Sequence, residues 1–304
     1  MYKTNFMKKF TLFFIVLQIF GFSALAQEKL YVCLNNDTYK EFYINNVDSI
    51  VFQMDVEPYT PDEDTDSLHL FSINPIEKVK FSPGNLQYNP GRNEWRFAPE
   101  QTEHIGKDNS YISPDYYGWI DLFGWGTGDN PTKTSMSYGD YKNFVDWGVN
   151  KIGDDEPNTW RSLSYNEWYY ILYDRENASN LITVGRVKGN NGVILLPDNW
   201  VCPEGVDLKI GFGGDDDAYA AFQIIDEYVW EKLEDSGAIF FPACGYRQGT
   251  TIKELQESCR YWIGYWHTTT SASMFYSTAM RAALEFTFPY DGLSVRLVST
   301  QTYE

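Results

Sequence analysis

An acidic, proline-containing segment near the N-terminus divides this chain into two unequal parts. Residues 57–68 combine two prolines with a run of acidic side chains: Pro58, Pro61, Asp62, Glu63, Asp64 and Asp66. Proline, charge and the lack of any hydrophobic periodicity are typical of a linker. We therefore expect a small folded element at 27–56 and one larger domain at 69–304.

The first 26 residues have the three parts of a secretory signal peptide. Lys3, Lys8 and Lys9 form a basic start, 10–22 is an apolar run, and 24–26 supplies a small-x-small cleavage site. The apolar run is shorter than the roughly 20 residues that a spanning helix needs, and no later run is longer. We expect a secreted, periplasmic or cell-surface protein with no transmembrane segment after the signal is removed.

The net charge excludes two classes of partner. The formal charge is −18, and removal of 1–26 takes away three lysines and no acids, which gives −18 − 3 = −21. Such a surface has no general affinity for nucleic acid or anionic lipid. The charge leaves the oligomeric state open.

The sequence predicts no metal site from cysteine or histidine. The four cysteines and three histidines have no metal-ligand spacing. The loop 211–217 contains Asp215, Asp216 and Asp217, and an oxygen-rich loop of this kind can wrap a calcium ion. Three consecutive side chains cannot all converge on one ion, so a solvated loop that leads into a helix is favoured. No other cofactor is predicted.

Hydrophobic patterns predict short strands and two helices. The element at 27–56 shows three short runs at 30–34, 41–44 and 49–52, which is near the minimum for a stable sheet. In the larger domain, Ser164 and Glu167 have capping-box spacing at the start of one helix, and the second helix ends near Asp235.

The end of the chain shows the alternation expected of strands. Residues 280–287 and 293–298 alternate apolar and polar side chains around the turn signal 289–292, which predicts a C-terminal hairpin. Within it, Arg296 alternates away from its apolar neighbours, and we interpret it as one half of a buried structural ion pair.

Seven segments in a fixed order resemble a known group of proteins. They are the residues at 81–88, 118–126, 159–168, 237–243, 264–269, 284–286 and 292–298. This combination resembles secreted bacterial proteins with a C-type-lectin-like fold, akin to the formylglycine-generating (sulfatase-modifying) enzyme. The resemblance covers roughly 80–300. It implies an α+β, loop-rich domain with two main helices and short antiparallel sheets, preceded here by the small β element.

The sequence lacks the catalytic residues of the two best-known enzymes with this fold. The formylglycine-generating enzyme relies on two closely spaced cysteines near its C-terminus, whereas no cysteine follows Cys259 in this chain. The related iron-dependent sulfoxide synthases use an H-x3-H-x-E ligand set, which three isolated histidines cannot supply. We therefore predict no catalytic residues, and fold alone does not supply a function.

Two aromatic-rich segments, 116–125 and 261–267, are the candidate binding regions. Exposed rings beside polar groups can stack on sugars or anchor a protein partner. The residues predicted to bind ligand are Tyr265, Trp266, His267, Trp119 and Trp125. The alternative, favoured for any single ring, is that bulky aromatics fill the core of an irregular domain. The resemblance also implies that the late stretch lines the ligand face.

These observations predict a non-enzymatic binding module that presents aromatic and polar loops to a glycan or an extracellular protein. Two alternatives remain open. In the first, the chain is a structural subunit of a surface appendage or envelope, in which the strands of 27–56 pair with a neighbouring subunit. In the second, it is an enzyme whose site is assembled from dispersed residues.

Overall fold

The computed structural model describes residues 29–33, 39–43, 69–212, 222–267 and 272–299, with the backbone alone for 29–33, 39–43, 265–267 and 273. The chain divides into two compact units, Met1–Thr60 and Pro61–Glu304. The predicted signal peptide, the run at 49–52, the linker and the three aspartates of the predicted calcium loop lie outside these residues.

Unit one contains a two-stranded antiparallel sheet. Strand β1 (Lys29–Cys33) pairs with β2 (Tyr39–Tyr43), and Leu30 lies opposite Phe42. The two strands match the first two runs that the sequence predicts in this element. Two strands alone are at most marginally stable in water.

Unit two contains many short strands. In chain order they are β3 (Phe71–Ser72), β4 (Lys78–Phe81), β5 (Leu86–Asn89), β6 (Glu94–Phe97), β7 (Trp160–Arg161), β8 (Ile182–Val187), β9 (Asn190–Leu195), β10 (Gln223–Ile225), β11 (Ile239–Pro242), β12 (Tyr246–Gln248), β13 (Thr251–Lys253), β14 (Cys259–His267), β15 (Ala272–Ser277), β16 (Ala282–Thr287) and β17 (Val298–Ser299). Few of them exceed six residues, which leaves long loops between the sheets.

Helices are few in this unit. Helix α1 (Tyr165–Tyr169) continues as a π-helical turn (Tyr170–Asp174), and α2 (Glu227–Asp235) follows β10. Single 3-10 turns lie at Pro90–Arg92, Gly106–Tyr111, Tyr138–Tyr141, Trp147–Val149 and Ala178–Asn180. The domain is therefore α+β, as the sequence predicts. No helix in the described segments is long and apolar enough to cross a membrane.

Residues next to the helices explain where α1 begins and where α2 ends. At α1 the Ser164 backbone N–H donates to Glu167 Oε2 at 2.7 Å, and the Glu167 N–H donates back to Ser164 Oγ at 3.4 Å, which confirms the predicted capping box. Helix α2 ends at Asp235, and Gly237 follows with a φ of +89°. Only glycine adopts that left-handed conformation without strain.

The sheets bring distant parts of the chain together. One sheet has the order β10-β8-β9-β11, with β10 parallel to β8 and the other pairs antiparallel. A second has the order β3-β4-β17-β7, so the last strand lies between strands from the start and middle of the domain. The antiparallel sheet β14-β15-β16 and the pairs β5-β6 and β12-β13 complete the set.

The predicted C-terminal hairpin is wrong. Strand β16 pairs with β15, while the segment after the turn bridges Phe123, Arg247 and Tyr261 singly before it enters the second sheet as β17. Alternation identifies a strand but carries no information about its partner, and here a non-local partner competes successfully with the adjacent one.

Aromatic rings dominate the core. Around α1, Trp168 stacks on Phe275 with ring centroids 4.8 Å apart, and Phe241 contacts both. A second cluster surrounds Phe123 and Trp147, and a third packs α2 against the first sheet through Trp230. Large rings fill the space that short regular elements leave between them.

Candidate ligand-binding cleft

A cleft of about 240 Å³ opens between Trp125 and the loop that follows it. Its lining includes four polar or charged side chains and two aromatic rings: Thr127, Asp129, Lys133, Asp140, Trp125 and Tyr141. We call this the loop cleft. Its size is near the lower limit for small-molecule sites in proteins.

The floor of the loop cleft is aromatic and fixed. Trp125 is only 1% exposed overall, its backbone N–H donates to the Pro289 carbonyl at 2.9 Å, and its ring lies 5.0 Å from that of Phe144. Tyr141 is also buried, and its hydroxyl donates to the Ser135 carbonyl at 2.9 Å. Both rings are therefore held by contacts outside the cleft.

A glycine makes the loop possible. Gly126 has a φ of +61°, and a Cβ at this position would lie 2.7 Å from the Phe144 Cα. The backbone bonds Gly128 N–H to Val145 O and Val145 N–H to Gly126 O, both 3.0 Å, then hold the loop against the following segment. A side chain at residue 126 is therefore excluded both by conformation and by space.

The loop is also closed by its own side chains. Lys133 Nζ donates to the Asp140 carbonyl, and Ser135 Oγ donates to the Asp140 carboxylate. The Lys133 ammonium lies 4.9 Å from the centroid of the Tyr141 ring. These contacts orient the polar groups of the cleft before any ligand arrives.

A buried arginine supports the loop from behind. Arg247 is fully buried and donates to the Leu122, Lys133 and Gly249 carbonyls. Burial lowers the pKa of Arg247 to about 10, against the influence of Tyr141 and Asp291, so it stays charged at neutral pH. Burial raises the pKa of Tyr141 to about 12, so its hydroxyl remains a donor.

Three rings beside the loop cleft form an exposed aromatic cluster, which we call the aromatic rim. It consists of Tyr138, Phe288 and Tyr290. Phe288 stacks on Tyr290 with centroids 5.0 Å apart, and Tyr138 lies 5.8 and 5.2 Å from the two. Tyr138 is 37% and Phe288 42% exposed. Tyr138 precedes Gly139, which lines the cleft, and Phe288 and Tyr290 flank Pro289, whose carbonyl accepts from the Trp125 N–H. The three rings therefore lie beside the cleft.

The rim also perturbs one of its own hydroxyls. Burial raises the pKa of Tyr290 to about 12, and its hydrogen bond with Tyr138 adds to this effect. The Tyr290 hydroxyl thus remains protonated at neutral pH and can act as a donor or an acceptor.

The structure separates the predicted ligand-binding residues. Trp125 lines the loop cleft, whereas Trp119 is not among its lining residues. The Arg96 guanidinium lies 3.9 Å from the Trp119 ring centroid and thus covers one face of the ring. Tyr265, Trp266 and His267 end strand β14, and their side chains lie outside the described atoms.

Sequence reasoning missed the aromatic rim. Tyr138 lies in a polar loop that carries no periodic pattern, and Phe288 and Tyr290 flank a proline that we interpreted only as a turn signal. The available signal was the density of tyrosine at 138–141 beside charged groups. No local pattern joins that segment to residues 288–290.

A second, larger cleft of about 490 Å³ is built on an ion cluster. We call it the polar cleft, and its lining includes Ser72, Lys78, Tyr170, Arg175 and Asp198. Asp198 pairs with Lys78 at 3.0 Å and with Arg175 at 3.3 Å, and it accepts two hydrogen bonds from the Ser72 N–H and one from its hydroxyl.

Hydrogen bonding fixes the ionisation of this cluster. Burial alone would raise the pKa of Asp198, but the Ser72 hydrogen bonds and Lys78 outweigh it and hold the pKa below its ordinary value. Burial lowers the pKa of Arg175 to about 10, although Asp198 opposes the shift. Asp198 and Arg175 are therefore both charged at neutral pH, and each is paired within the cluster.

The buried thiols are poor nucleophiles. Cys244 and Cys259 are free and buried, and burial raises the pKa of Cys259 to about 12. At neutral pH such a thiol stays protonated. Across the part of the chain that the structure describes, no group of three or more His, Cys, Asp or Glu side chains could hold a metal ion.

No family model matches this chain, and no curated protein and no solved structure matches it either. The candidate site is therefore assigned from its geometry. The resemblance to C-type-lectin-like proteins stays a prediction from the sequence.

Proposed function

We propose that this chain is a non-enzymatic, secreted or cell-surface binding module on a C-type-lectin-like scaffold, and that it binds a glycan at the loop cleft and the aromatic rim. The observation that carries the proposal is the partly exposed ring cluster of Tyr138, Phe288 and Tyr290 beside a small cleft with fixed polar groups.

The two parts of the site match the two faces of a sugar. The C–H face of a pyranose is apolar and packs on an aromatic ring, which gains area burial without losing a hydrogen bond. The hydroxyls need hydrogen-bond donors and acceptors, and Asp129, Lys133 and Asp140 supply both. A volume of about 240 Å³ suits a terminal sugar unit rather than a long chain.

The loop of the loop cleft is held in place before a ligand binds, and this supports a binding function. The loop is held by backbone bonds, by Arg247 from behind and by the Lys133–Asp140 contact. A ligand that meets such a site loses little free energy to ordering the protein.

The test is a glycan microarray with the mature chain, 27–304, with and without calcium. We expect reproducible binding that falls at least tenfold in Tyr138→Ala and in Phe288→Ala. Tyr228→Ala is the matched control, because Tyr228 is 68% exposed on α2 and does not line the loop cleft. Equal losses in the control, or a blank array, contradict the proposal, and a blank array favours a protein ligand.

A second candidate function rests on the small β unit. Its two-stranded sheet is at most marginally stable alone, and among the described residues each strand has a single partner, so another strand can add to either edge. In this alternative the unit pairs with a neighbouring subunit of an envelope or appendage. Concentration-dependent assembly by light scattering, lost when residues 27–43 are deleted, supports it; monomeric behaviour at all concentrations rejects it.

A further inference from the structure

The most unusual polar group in the domain is a buried arginine. Arg296 lies in the final extended segment and is 2% exposed. Its Nη2 donates to Gln101 Oε1 at 2.8 Å, while its Nε and Nη1 are buried without a hydrogen-bond partner. An arginine cannot lose its proton in a protein, so the charge stays buried with two nitrogens unsatisfied.

Arg296 does not make the ion pair that the sequence predicts. Within the described residues no carboxylate lies within ion-pair distance of its guanidinium. The nearest acid acts through an amide, because Gln101 Nε2 donates to Glu234 Oε1 at 2.9 Å. A buried charge without a direct counter-charge is costly, and buried polar groups in native proteins are nearly always satisfied.

The titratable groups that act on Arg296 are Tyr261, Cys244 and, beyond Gln101, the Glu234 carboxylate. Burial raises the pKa of Tyr261 and of Cys244 well above their ordinary values, so both keep their protons. Ser294, two residues before Arg296 in the same extended segment, has a fully buried hydroxyl that lies beside the Cys244 thiol. Asn85 Nδ2 already donates to Cys244 Sγ at 3.6 Å and to Tyr261 at 3.0 Å.

We propose that a small monovalent anion of the halide class binds beside Arg296, with the guanidinium Nε or Nη1 and the Ser294 hydroxyl as its donors. Like a water molecule, an anion accepts hydrogen bonds from the unpaired N–H groups. Unlike water, it also supplies a counter-charge to the guanidinium. The site is distinct from the loop cleft and does not depend on the proposed function.

The consequence of such an anion is structural. Leu297 O accepts from the Ser82 N–H and Val295 O accepts from the Leu86 N–H, both at 2.9 Å, so the carbonyls beside Arg296 already hold the segment to the start of the domain. An anion at Arg296 adds a charged anchor on the side-chain face of the same segment. Anything that binds the folded state alone raises its stability by mass action.

The direct test is crystallographic. Crystals of the full mature chain grown in sodium bromide are expected to give an anomalous peak within hydrogen-bonding distance of Arg296. A peak absent at Arg296 while bromide occupies surface positions, or a fully ordered water that persists in bromide, overturns the proposal.

A solution test uses the melting temperature at constant ionic strength, with gluconate replaced stepwise by chloride. Gluconate is too large for a fully buried site. Above the dissociation constant, each tenfold increase in chloride should raise the Tm by about 3–5 °C. A flat Tm contradicts the proposal.

Three variants make this test specific. Arg296→Met should remove the chloride response; if that variant fails to fold, Ser294→Ala keeps the charge and should weaken the response several-fold. Arg281→Met is the control, because Arg281 is exposed and pairs with Glu285. A response that Ser294→Ala leaves intact, or that Arg281→Met removes, overturns the site.

Discussion

The loop cleft and the polar cleft show how differently two cavities of one domain can use charge. The polar cleft is about twice as large, yet Asp198 is satisfied within the protein by Ser72, Lys78 and Arg175. The loop cleft is smaller, but it stands beside exposed stacked rings that have only partial cover. Charged groups of both clefts are hydrogen-bonded within the protein, and what only the loop cleft adds is ring surface that a ligand can cover, so cavity volume alone is a poor guide to binding.

The strongest challenge to this comparison is Asp198→Asn. The substitution removes the counter-charge of Arg175, whose side chain is 2% exposed. Breaking a buried pair on one side costs about 3–5 kcal/mol, and urea unfolding should show a loss of this size. Lys78→Met is the control; its side chain is 41% exposed, so the loss should be at most about 1 kcal/mol. An Asn variant of native stability that loses glycan binding would reverse the roles of the clefts.

Gly126→Ala tests whether the shape of the loop cleft matters. Positive φ alone costs an alanine about 1–2 kcal/mol, and the contact at 2.7 Å from Phe144 Cα must also be relieved. Gly153→Ala isolates the first effect, because Gly153 has a φ of +57° with no atom within 4 Å of the added Cβ. We expect Gly126→Ala to lower both stability and glycan affinity, and Gly153→Ala to lower stability alone. Equal affinities in the two variants would show that the cleft does not hold the ligand.

Acid should separate the clefts further. The pKa of Asp198 is lower in the folded state than in the unfolded chain, where it is about 3.9, so the folded protein binds fewer protons. Its contribution to stability is therefore complete above about pH 4–5 and is lost as the pH falls through the folded pKa, with a slope of at most about 1.4 kcal/mol per pH unit.

Thermal unfolding between pH 5 and pH 2 should show this loss in the wild-type protein and a shallower slope in Asp198→Asn. Identical slopes in the two proteins would mean that the ion cluster does not set the acid stability. Tyr138→Ala, which leaves the cluster intact, serves as the control and should keep the wild-type slope.

The smallest effect belongs to Phe288→Leu. Leucine keeps an apolar surface but removes the planar face, so glycan affinity should fall about two- to fivefold while stability changes by less than about 1 kcal/mol. Isothermal titration of a glycan identified on the array, alongside Tyr228→Leu, measures the change. Full affinity in Phe288→Leu would move the contact to Tyr138 or Tyr290.

Local chemistry was readable from the sequence, and pairing over distance was not. The Ser164 capping box and the end of α2 before Gly237 depend on residues a few positions apart, and both are confirmed. The sequence pattern also predicts that Phe222 or Ile225, Val229 and Leu233 form the inner face of this helix, and this is only partly right. Val229 and Leu233 pack inward, but Ile225 belongs to β10, and Trp230, which is absent from the pattern, is buried there.

The site itself depends on contacts that no local pattern encodes. Tyr138 and Phe288 are 150 positions apart in the sequence but neighbours in space. Asp198 meets Ser72 across 126 positions. The same holds for the strand that was assigned to a C-terminal hairpin, whose true neighbours are β4 and β7. Periodicity shows which side of an element is buried, whereas its partner is decided by the whole domain.

The position of β17 has a consequence for how the molecule is made. Its two residues, Val298 and Ser299, are the centre of a sheet whose other strands were synthesised long before them. A nascent chain therefore holds β4 and β7 before the strand that joins them exists, and this sheet can close only after residues 298 and 299 have been made. Until then, the start and the middle of the domain lack the strand that pairs with both of them.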